Sequence, residues 1–240
     1  MGILSFKDSD SLFRKLGAEL EKVLKLNWDR PILFFLPEYY SDEIFANVAD
    51  GALGRNITFS PASEGHGVKE ELLRARSIQK TKFWEKLVRR NCDFFDTGDL
   101  NALPFQRAVG IFSSFVRKWT EENPEGLVFA VLNTKSDGAV AGIKPLKGEA
   151  KEFERLFCDT KEYVSGYEKN EDGSLERTIT ITFPLLKKCR SIYVLVTGEA
   201  NKDVFQKIAL DRQMEDLSRF PAYFLREAEN TVFFSNIVGG

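Results

Sequence analysis

Apolar residues recur at helical spacing over residues 11–25, where Leu12, Phe13, Leu16, Leu20, Val23 and Leu24 fall on one stripe. Asp8, Ser9 and Ser11 each offer an oxygen to cap this helix, and Asn27 followed by Pro31 stops it. The pattern then changes. Ile32-Leu33-Phe34-Phe35-Leu36 is an unbroken apolar run bounded by Pro31 and Pro37, which predicts a strand buried on both faces. Similar runs stand at Ile57-Thr58-Phe59, at Leu127-Val128-Phe129-Ala130-Val131-Leu132 and at Ile192-Tyr193-Val194-Leu195-Val196. Residues 178–182 alternate apolar side chains with threonine and read as a fifth strand, and 231–234 as a last one.

Helical patterns fill the gaps, at 68–76, 82–89, 105–119, 149–157 and 202–210. Continuous apolar strands alternating with helices predict an α/β protein with a mainly parallel sheet, covered on both faces by helices that absorb many of the 21 phenylalanines. No Pro/Gly/Ser-rich linker divides the chain and no internal repeat appears, so residues 1–240 read as one domain. Lys169-Asn170-Glu171-Asp172-Gly173-Ser174 is the strongest turn signal, a hairpin or exposed loop leading into the Arg177 strand. Ligands of an open parallel sheet bind at the carboxyl ends of its strands. That singles out the loops 37–42, 60–67, 133–147 and 197–202.

Charge narrows the function classes. Lys and Arg number 34 against 36 Asp and Glu, a formal net charge of −2, without the basic excess that nucleic-acid binding through bulk electrostatics requires. The basic clusters Arg74/Arg76/Lys80/Lys82 and Lys187/Lys188/Arg190 read as solvated helix faces. The single histidine, His66, excludes a multi-histidine metal site and makes any histidine base His66. Cys92, Cys158 and Cys189 are widely spaced with no CxxC, so they imply reduced, mostly buried thiols and neither a disulfide framework nor a zinc site. The N-terminus lacks the apolar core of a signal peptide, and no apolar run approaches the roughly 18 residues of a membrane span. The expectation is a cytoplasmic protein that binds neither nucleic acid nor membrane.

The segment from Arg177 to Leu186, Arg-Thr-Ile-Thr-Ile-Thr-Phe-Pro-Leu-Leu, followed by the strand Ile192-Tyr193-Val194-Leu195-Val196 and Thr197-Gly198, resembles the 6-phosphogluconolactonase branch of the glucosamine-6-phosphate isomerase/deaminase superfamily. That branch reads R-x-T-L-T-x-P-x-(I/L), then a strand ending in T-G. Upstream, Leu132-Asn133-Thr134-Lys135-Ser136-Asp137-Gly138-Ala139-Val140-Ala141-Gly142-Ile143-Lys144-Pro145 lines up with the family loop L-G-x-G-x-D-G-H-T-A-S-L-F-P, and Pro221-Ala222 matches a late Pro-Ala. The resemblance covers nearly the whole chain. It implies a three-layer α/β/α sandwich with a Rossmann-like sheet. It also implies a phosphorylated sugar or sugar lactone as ligand, and hydrolysis of 6-phosphogluconolactone without metal or cofactor.

The polar motifs depart from the family. Ala139 stands where the loop histidine, the family's general base, belongs. The phosphate loop S-G-G-S-T-P is replaced by Leu36-Pro37-Glu38-Tyr39-Tyr40-Ser41, in which Pro37 donates no N–H, Glu38 repels a dianion and Ser41 alone survives. The D-E-R loop becomes Ser63-Glu64-Gly65, with His66 next, and the lysine expected three residues after Thr-Gly is Asn201, with Lys202 one place on. The candidate catalytic residues are Asp137, which would orient water, and His66 aided by Glu64 as a relocated base; His66 equally reads as an exposed loop histidine. Ser41, Gly138, Arg177 and Lys202 are the candidate substrate contacts, Arg177 and Lys202 neutralising the anion; each also reads as an ordinary surface or turn residue. Glu38, Tyr39 and Tyr40 offer either a plain loop or a sugar or partner platform. Two function classes follow: a divergent lactonase, and a non-catalytic relative that keeps the fold to bind a sugar phosphate or a protein. A deaminase would also want the missing histidine, and an aspartate at Ser63.

Overall fold

The computed structural model describes residues 2–171, 173–210 and 216–237. In chain order the strands are β1 (Gly2–Ser5), β2 (Ile32–Leu36), β3 (Ile57–Pro61), β4 (Ser63–His66), β5 (Asp93–Phe94), β6 (Leu127–Asn133), β7 (Val164–Glu171), β8 (Ser174–Ile181), β9 (Ser191–Val196) and β10 (Thr231–Ser235). The helices are α1 (Ser9–Leu26), α2 (Ser41–Phe45), α3 (Arg74–Ile78), α4 (Lys82–Arg89), α5 (Phe105–Glu122), α6 (Ala150–Phe153), α7 (Phe183–Lys188), α8 (Lys202–Leu210) and α9 (Phe224–Glu227). Of the three candidate caps for α1, Asp8 serves, its carboxylate accepting the Ser11 N–H at 2.7 Å.

Among the described residues, seven strands form a parallel sheet in the order β1-β10-β9-β6-β2-β3-β5. The apolar runs are the reason. Along β2, Leu33 and Phe35 join a core beneath α5, whereas Ile32, Phe34 and Leu36 join another beneath α1, α2 and α4. Alternate residues of one strand thus serve two cores, as a sheet covered on both faces requires. From β2 the chain steps outward through β3 and β5, then returns to the other side of β2 as β6 and proceeds to β9 and β10. The order reverses between β2 and β6, and the carboxyl ends of these two strands flank the crevice where such sheets bind ligands. The architecture is the predicted three-layer α/β sandwich.

Three expectations are corrected. The strand predicted at 178–182 begins at Ser174 and belongs to a separate antiparallel sheet, β4-β8-β7. Residues 178–182 are nevertheless buried, with Ile179 and Ile181 in the core and the Thr180 and Thr182 hydroxyls bonded to backbone carbonyls. The predicted hairpin is present as β7–β8, with Glu171 opposite Ser174 and Gly173 at φ 81°; Asp172 lies outside the described residues. Part of the 60–67 loop is strand β4, which crosses from the end of β3 to pair with β8, and the Ile181 N–H bonds the Ala62 carbonyl at 3.1 Å. The helix expected at 68–76 is interrupted. A single 3-10 turn covers Glu70–Leu72, Leu73 is extended, and α3 starts at Arg74 because a buried carboxylate takes its first N–H groups. None of the described helices is long and apolar enough to cross a membrane.

Candidate functional site

β2 lies between β6 and β3, so the segments leaving these three strands converge at the switch point. The first carries Glu38. Its Oε1 accepts Arg74 Nη2 at 2.6 Å and Lys135 Nζ at 2.8 Å. Arg74 also donates through Nη1 to Ser63 Oγ at 2.9 Å, and the Tyr39 N–H bonds Asn133 Oδ1 at 3.1 Å. Loops from all three strands are therefore tied to one carboxylate. The Glu38 side chain is only 14% exposed, and burial pushes its carboxyl up. The Arg74 charge and the Lys135 hydrogen bond and charge outweigh burial and hold it below the ordinary value.

Beside this cluster opens a cavity of about 530 Å³, lined by Glu38, Tyr39, Ser41 and Arg74 on its polar side and by Val68 and Ile78 on its apolar side. Asp42 and Glu43 also face it, so three carboxylates stand against one guanidinium in its wall. Tyr40 precedes α2 with φ 71°, a left-handed backbone that a bulky residue adopts only under constraint from its surroundings.

The predicted site residues separate into distinct places. Ser41 opens α2, buried beside Glu38 in the same cavity wall. Asp137 lines a different cavity, with Glu168 and Lys169. Its Oδ1 accepts the Ala139 N–H at 2.9 Å, closing a tight turn in which Gly138 has φ 84°. A Cβ on Gly138 would lie 2.3 Å from the Phe220 ring, and the Gly138 carbonyl accepts the Ala222 N–H at 2.9 Å. The Asp-Gly loop and the Pro-Ala segment therefore meet, as pieces of one structure. Ala139 is 2% exposed.

Arg177 sits on β8, its Nε donating to Glu168 at 2.7 Å and its guanidinium over the Phe105 ring. Lys202 opens α8 after the Gly198 turn, beyond β9 and two strands from β2.

Glu64 and His66 do not form a dyad. Glu64 is 2% exposed and accepts from the backbone N–H groups of Gly65, Arg74 and Ala75 and from Thr97 Oγ1, at 2.8–3.2 Å. Those four donors make it the anchor of the α3 start. His66 is not an exposed loop histidine. It is 8% exposed within β4, opposite Arg177, with Nε2 bonded to the Leu103 carbonyl at 2.9 Å and the ring against Phe105. Because a carbonyl only accepts, Nε2 carries the proton, and Nδ1 is left buried without a partner.

Arg74 and Lys135 complete the cluster around Glu38, and the sequence pattern did not single them out. Arg74 belongs to a cluster read as a solvated helix face, yet it is 19% exposed and paired. Its neighbour Arg76 likewise binds Asp96 and Asp99. The signal lay in the motifs. In the register of the resemblance, Glu38 and Lys135 each stand where the family motif has a glycine, as opposite charges on the loops that leave the adjacent strands β2 and β6. Cys189 is buried and Cys92 and Cys158 half-buried, and burial raises the Cys92 and Cys158 thiols to about 11. Among the described residues no group of three His, Cys, Asp or Glu side chains is placed to hold a metal ion.

No family model matches the chain, and no curated protein matches it in sequence. Solved structures do match in fold. The 6-phosphogluconolactonase from Trypanosoma brucei superposes with a TM-score of 0.75 at 19% identity, over 98% of this chain and 95% of that one. The 6-phosphogluconolactonase from Thermotoga maritima gives a TM-score of 0.69 at 21% identity, over 98% of both chains. A monomeric glucosamine-6-phosphate deaminase gives 0.73 at 13% identity, over 98% of this chain and 97% of that one. This chain has the fold those proteins share.

Proposed function

We propose that this chain is a divergent, non-catalytic member of the 6-phosphogluconolactonase/glucosamine-6-phosphate deaminase superfamily, a binding protein built on a sugar-phosphate enzyme's fold. One observation carries the reading. The Glu38 carboxylate occupies the switch-point crevice, held by Arg74 and Lys135, where the family's phosphate loop presents glycines and hydroxyls. A phosphate dianion entering there meets a fixed negative charge, with Asp42 and Glu43 in the same wall. The chemistry is missing at the second motif too: Ala139 has no titratable group, and Asp137 spends an oxygen on its own turn.

The test is direct. The purified protein is incubated with fresh 6-phosphogluconolactone and acid release is compared with the spontaneous rate; the expected result is no acceleration. Acceleration would overturn the reading. Catalysis by a relocated base has one observation in its favour, the free Nδ1 of His66. Acceleration that disappears in His66→Ala and persists in Asp137→Ala would establish that base instead.

A further inference from the structure

Two cations from separate segments converge on a single oxygen of Glu38, at 2.6 and 2.8 Å, and the same guanidinium reaches a serine hydroxyl at 2.9 Å. A planar guanidinium, itself braced by a serine hydroxyl, and an ammonium directed at one carboxylate oxygen form a donor set that recognises an oxyanion. Here the anion belongs to the chain. Glu38 carries one negative charge against the two positive ones that touch it, so removing it leaves both cations without their carboxylate, beside a cavity of about 530 Å³ whose wall also carries Asp42 and Glu43. The loop that delivers Glu38 is itself constrained. Tyr40 is left-handed, its ring packs 5.1 Å from Phe13, and the Tyr39 N–H is fixed to Asn133.

We propose that Glu38 is a tethered occupant of an oxyanion subsite made by Arg74, Lys135 and Ser63, and that the subsite accepts a phosphate or carboxylate group when the Glu38 side chain is removed. The proposal deepens the non-catalytic reading and rests on it: the wild-type protein binds such anions weakly because each must displace a carboxylate held at high effective concentration by its own backbone. When Glu38 is gone, the Glu64 anchor holds the Arg74 backbone through the Arg74 and Ala75 N–H groups, and Ser63 Oγ remains a partner for the guanidinium.

The full chain is titrated with inorganic phosphate and, separately, acetate, at ionic strength matched with chloride. Wild type, Glu38→Ala, Glu38→Gln and the double variant Glu38→Ala/Lys135→Ala are followed by calorimetry and thermal melting. The expected result is that Glu38→Ala binds one or both anions at least about tenfold more tightly than wild type, and that the double variant loses the gain. A folded, cooperatively melting Glu38→Ala whose affinity for both anions equals the wild type's would overturn the proposal. So would a gain that survives the loss of Lys135. Should Glu38→Ala fail to fold, Glu38→Gln decides, with a gain of about threefold expected and equality with wild type as the refutation. Lactone hydrolysis by the wild-type protein would sink the non-catalytic reading alone, because the anion titration of Glu38→Ala is read independently of turnover.

Discussion

Glu38 and Glu64 are both largely buried carboxylates, and their partners give them opposite roles. Glu64 is satisfied by four hydrogen-bond donors with no cation among them, so it fixes backbone. Glu38 is satisfied by two cations, so its charge matters more than its shape. The sign of its pH dependence follows. A carboxyl held below its ordinary value of 4.5 contributes stability that is present above that value and is lost as pH falls through the lower, folded value. Wild type is expected to exceed Glu38→Gln by about 2 kcal/mol near pH 7, the scale of hydrogen bonds to charged groups, and the two are expected to converge in acid. Urea unfolding of both proteins between pH 7 and pH 3 measures this; a gap independent of pH would contradict the ion-pair assignment.

Between elements, the position of α2, and with it the Glu38 loop, depends on a glycine. Gly17 of α1 faces α2 so closely that a Cβ there would lie 2.5 Å from Asn47 Cβ and 2.9 Å from the Ile44 carbonyl. Alanine in a helix interior gains about 1 kcal/mol over glycine, but overpacking against backbone costs about 1–3 kcal/mol. Gly17→Ala is therefore expected to lower stability by up to about 2 kcal/mol in chemical denaturation, and a stabilised variant would show that the contact gives way. Legibility also divides by element. β2, β6 and β9 are plain in the sequence because burial on both faces leaves an unbroken apolar run. β4 is not, since Ser-Glu-Gly-His carries no strand preference and becomes one only through β8. The cavity wall was legible in part. Ser41 and Glu38 lie on a loop that topology selects, but Arg74 and Lys135 gain their meaning from meeting Glu38 across three strands, which no local pattern records.

At the scale of the whole molecule, the seven-stranded sheet and the small antiparallel sheet behave as one unit if the joint between them holds. Thr180, fully buried on β8, lies at that joint: its hydroxyl donates to the Ala141 carbonyl and lies 3.4 Å from the Ala62 carbonyl. Thr180→Val keeps the shape and leaves the Ala141 carbonyl without this donor, an expected cost of about 1–2 kcal/mol. The unfolding transition should remain single. Two separated transitions in calorimetry would mean that the sheets are independent. The Asp137-Gly138-Ala139 turn, packed against Phe220 and Ala222, also limits what position 139 can accept. A histidine at position 139 would replace a side chain only 2% exposed, in a turn closed by the Asp137 carboxylate and backed at Gly138 by the Phe220 ring. The segment carrying Phe220 and Ala222 would have to loosen before an imidazole there could reach a ligand, so Ala139→His alone does not supply one. Position 139 is thus set by packing from a distant segment of the chain and not by its own side chain alone.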